Sequence, residues 1–186
     1  MSKTSPLVVV ATGSSASIVL PSYLDEIKSR IDADLTVVLT ASALRFVQPE
    51  VVGWFATTVI VPDQPGVNPI EVALNARAIA VLPASANTVA TTALGLMPTT
   101  ATTIVAASRR PCLFFPQMHE VIWRKPLTER HIAALQDAGH IVVGPQISAG
   151  YEISRGETTE AWSMPGPEDA AEMIATWIEA GVPCPT

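Results

Sequence analysis

LVVVATGSSASIVLPSYLDEIKSRI, residues 7–31, opens with a Val-rich apolar run from Leu7 to Ala11 and breaks at Thr12-Gly13-Ser14-Ser15. Ile18, Leu20, Leu24, Ile27 and Ile31 then recur at helical spacing. The order is strand, tight turn, helix. Five more apolar runs begin the same way: Leu35 to Leu39, Val59 to Val61, Ile79 to Leu82, Leu113 to Phe115 and Ile141 to Val143. Each is short and continuous rather than alternating, as strands buried on both faces are. Helix-like stretches fall at 50–57, 69–76, 88–94 and 128–138, and the chain closes with one at 168–180, between Pro167 and Gly181. Such alternation predicts a parallel sheet, because parallel neighbours need a long crossover connection. The expected fold is α/β, a three-layer α/β/α sandwich in a single domain over 1–186.

One segment breaks the rhythm. Ile147 to Met164 carries Gly, Ser, Thr and Glu without helical periodicity and is too long for an ordinary connection, so a hairpin or a mobile flap is expected there. The tail 182–186 is expected to fray.

With 186 residues, 48% hydrophobic and 15% charged, the chain can bury one sizeable core but not two full domains. Eleven Lys and Arg against seventeen Asp and Glu leave a net charge of −6 and no basic stripe, which argues against nucleic-acid and anionic-membrane partners. No apolar run approaches a membrane span, and Met1 to Pro6 lacks the order of a signal peptide, so a cytoplasmic protein is expected. Cys112 and Cys184 form no disulfide framework, and they and His119, His131 and His140 show no metal-ligand spacing. Cys112, inside an apolar run, reads as a core residue. With so few charges to cover its surface, the chain is expected to bury part of it in a homo-oligomer.

Three segments carry candidate chemistry. Thr12 to Ser15, opening a helix, offers backbone N–H groups, a helix dipole and hydroxyls that suit a phosphate, but also reads as an ordinary Ser-capped turn. It is neither a Gly-x-Gly-x-x-Gly fingerprint nor a Gly-Lys-Ser/Thr loop. The second segment, Leu82 to Thr88, leaves a strand with small side chains throughout, so a flat ligand can lie against its backbone. The third, Phe115 to Trp123, again follows a strand. Ligands in open α/β sheets bind beyond the carboxyl ends of the strands, so the first two segments converge on one crevice.

Pro-Ala-Ser-Ala-Asn-Thr at 83–88, followed by Pro-x-Met-x-x-x-x-Trp at 116–123, resembles the homo-oligomeric flavin-containing cysteine decarboxylases. That family includes lantibiotic-type peptidyl-cysteine decarboxylases and phosphopantothenoylcysteine decarboxylase. The resemblance runs from the Gly13 turn through 164. It implies a flavodoxin-like, Rossmann-like sheet and a bound FMN, FAD being the alternative. Its phosphate would lie near Gly13, Ser14 and Ser15, and its ring near Pro83, Ala84, Ser85, Asn87 and Met118. Thr40, Ser42 and Phe46 fall where the family makes further flavin contacts. The family's flavin oxidises a cysteine thiol to a thioaldehyde, which lets the neighbouring carboxylate leave as CO2. The resemblance also implies trimers assembled into a dodecamer, with flavin at subunit interfaces.

Two positions depart from the family. Its active-site His falls at Pro69, which moves no proton, and its carboxylate-gripping Asn falls at His119. His119 is therefore the candidate for both catalysis and substrate binding, against the alternative of an ordinary surface histidine. Asn87, Ile147 and Tyr151 are the other candidate substrate contacts, the last two in a clamp that orders over a peptide terminus or, alternatively, in a plain surface loop. These departures resemble the cypemycin- and thioviridamide-type enzymes. The implied activity is oxidative decarboxylation of a precursor peptide's C-terminal cysteine. The alternatives are coenzyme A biosynthesis and a flavin-binding regulatory subunit without turnover; a prenyl-transferring relative lacks the expected basic cluster.

Overall fold

The computed structural model describes residues 5–152 and 156–181. Six strands, β1 (Leu7–Ala11), β2 (Leu35–Leu39), β3 (Thr58–Ile60), β4 (Ala78–Ala84), β5 (Leu113–Pro116) and β6 (Ile141–Val142), form one sheet in the order β3-β2-β1-β4-β5-β6. Every pairing in it is parallel. The apolar runs read as strands are these six, within a residue at each end except that β4 runs two residues beyond Leu82, to Ala84.

Alternate strand residues feed two cores. Leu7, Val9, Ala11, Val37 and Leu39 pack against α1 (Leu20–Arg30) and α8 (Pro167–Glu179) through Leu24, Ile27, Ile174 and Trp177. Val8, Val10, Ile79, Val81 and Phe114 face the other way, onto residues of α3 (Pro69–Asn75), α4 (Ala86–Ala93), α5 (Thr100–Ala106) and α7 (Pro126–Asp137). Burial on both sides explains why these runs are continuous rather than alternating. The layers are helix, sheet, helix.

Three helix expectations need correcting. The stretch 50–57 is helical only at α2 (Pro49–Val52): Gly53 caps it, and by Thr57 the chain is already bonded to Leu35 of the sheet. α5 and the one-turn α6 (Glu120–Trp123) were not anticipated. Thr-rich α5 has weak intrinsic helix preference, which a capping box between Thr99 and Thr102 offsets. The irregular segment is an antiparallel hairpin, β7 (Gln146–Glu152) with β8 (Glu157–Ser163). The tail 182–186 and Cys184 lie outside the described residues. Among the described residues no helix is long and apolar enough to cross a membrane.

The chain runs outward from β1 through β2 to β3, then returns to place β4 on the other side of β1. Connections diverge at that point, and a crevice opens beyond the carboxyl ends of β1 and β4.

Candidate functional site

Thr12, directly after β1, is buried and ties the two walls of the crevice. Its N–H and hydroxyl both donate to the Pro83 carbonyl, at 3.2 and 2.8 Å, and its Oγ1 accepts the Ser85 N–H at 2.7 Å. The first and second candidate segments are thereby locked in register. Gly13 follows, pressed against the loop after β2: a Cβ built on it would fall 2.2 Å from Ser42 Cβ. No larger residue fits there without moving the backbone. A cleft of about 440 Å³ opens alongside, lined by Gly13, Thr40, Ser42, Ser85, Asn87 and Met118, among others. Its size falls in the roughly 300–1,000 Å³ of small-ligand sites.

Beyond β5 the chain makes a second wall. The Gln117 N–H donates to the Ala84 carbonyl at 2.9 Å, which aligns this loop with the end of β4. Met118, only 6% exposed, lines the first cleft and also a second of about 470 Å³. The second is bounded by Ser14 and Ser15 on one side, His119 and Glu120 on another, and the hairpin residues Gly150, Glu160 and Trp162 as its roof. Trp162 is held by an edge contact with Trp123 and by the Arg124 guanidinium 5.0 Å from its ring centre. Glu120 fixes Arg124 in turn, at 2.6 Å.

His119 caps α6. Its Nδ1 accepts the Val121 N–H at 3.2 Å, so the neutral ring carries its proton on Nε2. His119 itself lines the second cleft. With Nδ1 serving the cap, Nε2–H is the donor left for a ligand.

Six of the residues expected to hold a flavin, Gly13, Thr40, Ser42, Ser85, Asn87 and Met118, line the first cleft, and Ser14 and Ser15 line the second. Pro83 and Ala84 are buried in β4 and support that wall rather than face either cleft. Phe46, 37% exposed, and Ile147, 67% exposed, line neither. Tyr151 has a strand position opposite Thr158, and its side chain lies outside the described residues. Pro69 is the first residue of α3 and lines neither cleft; Asn68 caps that helix through Ile70 and Glu71 N–H groups. Proline's fixed φ suits a helix's first position, so helix geometry accounts for the residue found there. Sequence reasoning missed Thr12 and Gln117 as site residues. Thr12 stood inside the quoted turn, but its cross-strand bonds have no sequence signal.

The remaining chemistry-bearing groups stay out of the clefts. Burial pushes the Cys112 thiol up to about 12, so it is protonated and inert at neutral pH. His140 Nδ1 accepts the Cys112 N–H at 3.0 Å and its ring stands edge-on to Phe114. Among the described residues no three His, Cys, Asp or Glu side chains gather as a metal-ligand set.

The family described as Flavoprotein matches residues 1–178. The chain belongs to the Flavoprotein family. It is 28% identical to epidermin decarboxylase of Staphylococcus epidermidis over 170 residues, which is 90% of this chain and 93% of that one. To mersacidin decarboxylase of Bacillus sp. strain HIL-Y85/54728 it is 30% identical over 159 residues, 83% of this chain and 80% of the relative. A solved structure of an EpiD variant complexed with the substrate peptide DSYTC superposes with a TM-score of 0.84 at 27% identity, covering 91% of this chain and 97% of that one.

The clefts of this Flavoprotein member suit the group the family name implies. Gly13, Ser42, Ser85 and Asn87 give the first cleft small walls close to the backbone, as a flat ring system needs. The exposed Ser15, which lines the second cleft where the 3-10 helix Ser15–Val19 begins, offers a hydroxyl that suits a phosphate, while the Ala16 and Ser17 N–H groups of that turn are taken by Ser14.

Proposed function

We propose that this protein is a flavin-dependent peptidyl-cysteine decarboxylase, acting on the C-terminal cysteine of a ribosomally made precursor peptide to leave a C-terminal aminoenethiol. One observation carries the reading: at Met118 a small-walled cleft beyond the strand ends meets a second cleft that holds an imidazole donor and is roofed by a hairpin. The similarity to epidermin decarboxylase and mersacidin decarboxylase, and to a solved neighbour complexed with the substrate peptide DSYTC, supports the same chemistry.

The residues divide the work. Gly13, Thr40, Ser42, Ser85, Asn87 and Met118 would hold the flavin, FMN in this reading, with Ser14 and Ser15 beside its phosphate. When bound, the flavin supplies the two-electron oxidation of the cysteine thiol to a thioaldehyde, which lets the adjacent carboxylate depart as CO2. His119 Nε2–H holds that carboxylate, in place of the family's Asn. The hairpin covers the peptide end and excludes water. Pro69 contributes no proton transfer, so turnover rests on orientation of the thiol and carboxylate. A homo-oligomer with flavin at the subunit interface, trimer-based and dodecameric, completes the proposal.

The test is direct. The purified protein should be yellow and release FMN identified by mass spectrometry. A Cys-terminated peptide should lose CO2 and two hydrogens, while phosphopantothenoylcysteine should not react. A flavin-loaded protein that leaves every Cys-terminated peptide intact would instead favour a binding subunit without turnover.

A further inference from the structure

Gln117 touches four parts of the site at once. Its N–H donates to the Ala84 carbonyl at the end of β4, at 2.9 Å. Its own carbonyl accepts the Ser14 hydroxyl of the first turn at 3.4 Å. Its side-chain Oε1 accepts the Met164 N–H at 2.7 Å, the residue immediately after β8. It also lines both clefts, next to Met118. Because Oε1 is committed to a backbone donor, the amide orientation is fixed and Nε2 brings two N–H donors to that wall.

Besides the contacts of Trp162 with Trp123 and Arg124, the exit of the hairpin is anchored inward. Met164 is buried in the core, and the next carbonyl, Pro165, accepts the Tyr23 hydroxyl at 2.8 Å. Those contacts hold residues 164 and 165 to the core of α1 and α8, but they do not aim β8 at the clefts. The Gln117 bond does, adding to the Trp162 contacts, since it ties the foot of the roof by a hydrogen bond to the loop that carries Met118 and His119.

We propose that Gln117 is a positioning residue: its carboxamide sets the hairpin over the second cleft, so that a substrate terminus is held between the roof and His119. The kinetic part rests on the decarboxylase reading; the docking of the hairpin does not.

Flavin-loaded Gln117→Met, Gln117→Glu and wild-type protein separate the outcomes. Methionine removes the acceptor and both donors, whereas glutamate keeps an acceptor for the Met164 N–H. Proteolytic cleavage within 146–163 is expected to run about three- to tenfold faster in Gln117→Met, the equivalent of losing one neutral hydrogen bond. KM for a Cys-terminated peptide should rise by about the same factor with kcat within about twofold. Gln117→Glu should recover the wild-type cleavage rate. Gln117→Leu serves as the apolar variant should the methionine protein fail to fold. A Gln117→Met hairpin cleaved as slowly as the wild type overturns the proposal, as does a glutamate variant cleaved as fast as the methionine one. If wild type turns over no peptide, the decarboxylase reading fails while the cleavage rates still decide the role of Gln117.

Discussion

At His119 a single residue carries two duties that pull in one direction. Its Nδ1 caps α6 and the residue lines the second cleft, so truncation removes a helix cap together with the carboxylate donor proposed above. Asparagine is among the strongest capping residues and keeps N–H donors. His119→Asn is therefore expected to retain decarboxylation, whereas His119→Ala should lower kcat/KM by about ten- to a hundredfold, the range for a hydrogen bond to a charged group. Steady-state kinetics on a Cys-terminated peptide decide it: undiminished turnover in the alanine variant removes His119 from the site. The imidazole's place beside Met118 was legible in the sequence, because Pro-x-Met fixes its spacing from β5. Its tautomer was not, since that depends on where α6 begins, a one-turn helix with no periodicity to betray it. Thr12 was hidden for a different reason. Its bonds reach Pro83 and Ser85, more than seventy positions away, and only strand pairing brings those together.

Among the elements, strands were read well because the sheet is buried on both faces, which turns each strand into a short unbroken apolar run. Helices depending on caps rather than on an apolar stripe were lost, as with Thr99 and Thr102 at α5. The junction of α7 with β5 and β6 holds a pH-sensitive device of its own. There His140 Nδ1 accepts the Cys112 N–H, and burial lowers its proton affinity below the ordinary 6.5. The folded state thus resists a proton that the unfolded chain accepts. Above about pH 6.5 both states hold a neutral ring and stability is full. As pH falls below that value the unfolded chain gains protons first, and stability declines until the folded pKa is passed. Urea midpoints at pH 7.5 and pH 5.5 should differ in that sense, and His140→Gln, which keeps an acceptor for Cys112 but cannot titrate, should narrow the gap. An equal gap in both proteins would place the acid sensitivity elsewhere.

For the molecule as a whole, strand content and layering could be read in advance, but the order β3-β2-β1-β4-β5-β6 could not, because nothing local says on which side of β1 the chain returns. The right-handed crossover rule and that return together create the crevice. Sparse charge leaves large apolar side chains on the surface. Leu94, Leu96 and Met97, 63%, 54% and 57% exposed, cluster on the connection between α4 and α5, directly before Pro98 and Thr99, which line the first cleft. Exposed apolar side chains beside a ligand cleft suit the subunit interface proposed above, where a second copy would close the cleft from outside. Light scattering of the wild-type protein should then give the mass of a multimer. Leu94→Lys with Leu96→Lys should shift it toward the 19.6 kDa of one chain. Flavin should escape from that double variant on gel filtration while wild type keeps it, because the exposed cleft no longer has an outer wall. Wild type that elutes as a single chain with its flavin retained would show that one subunit makes the whole site.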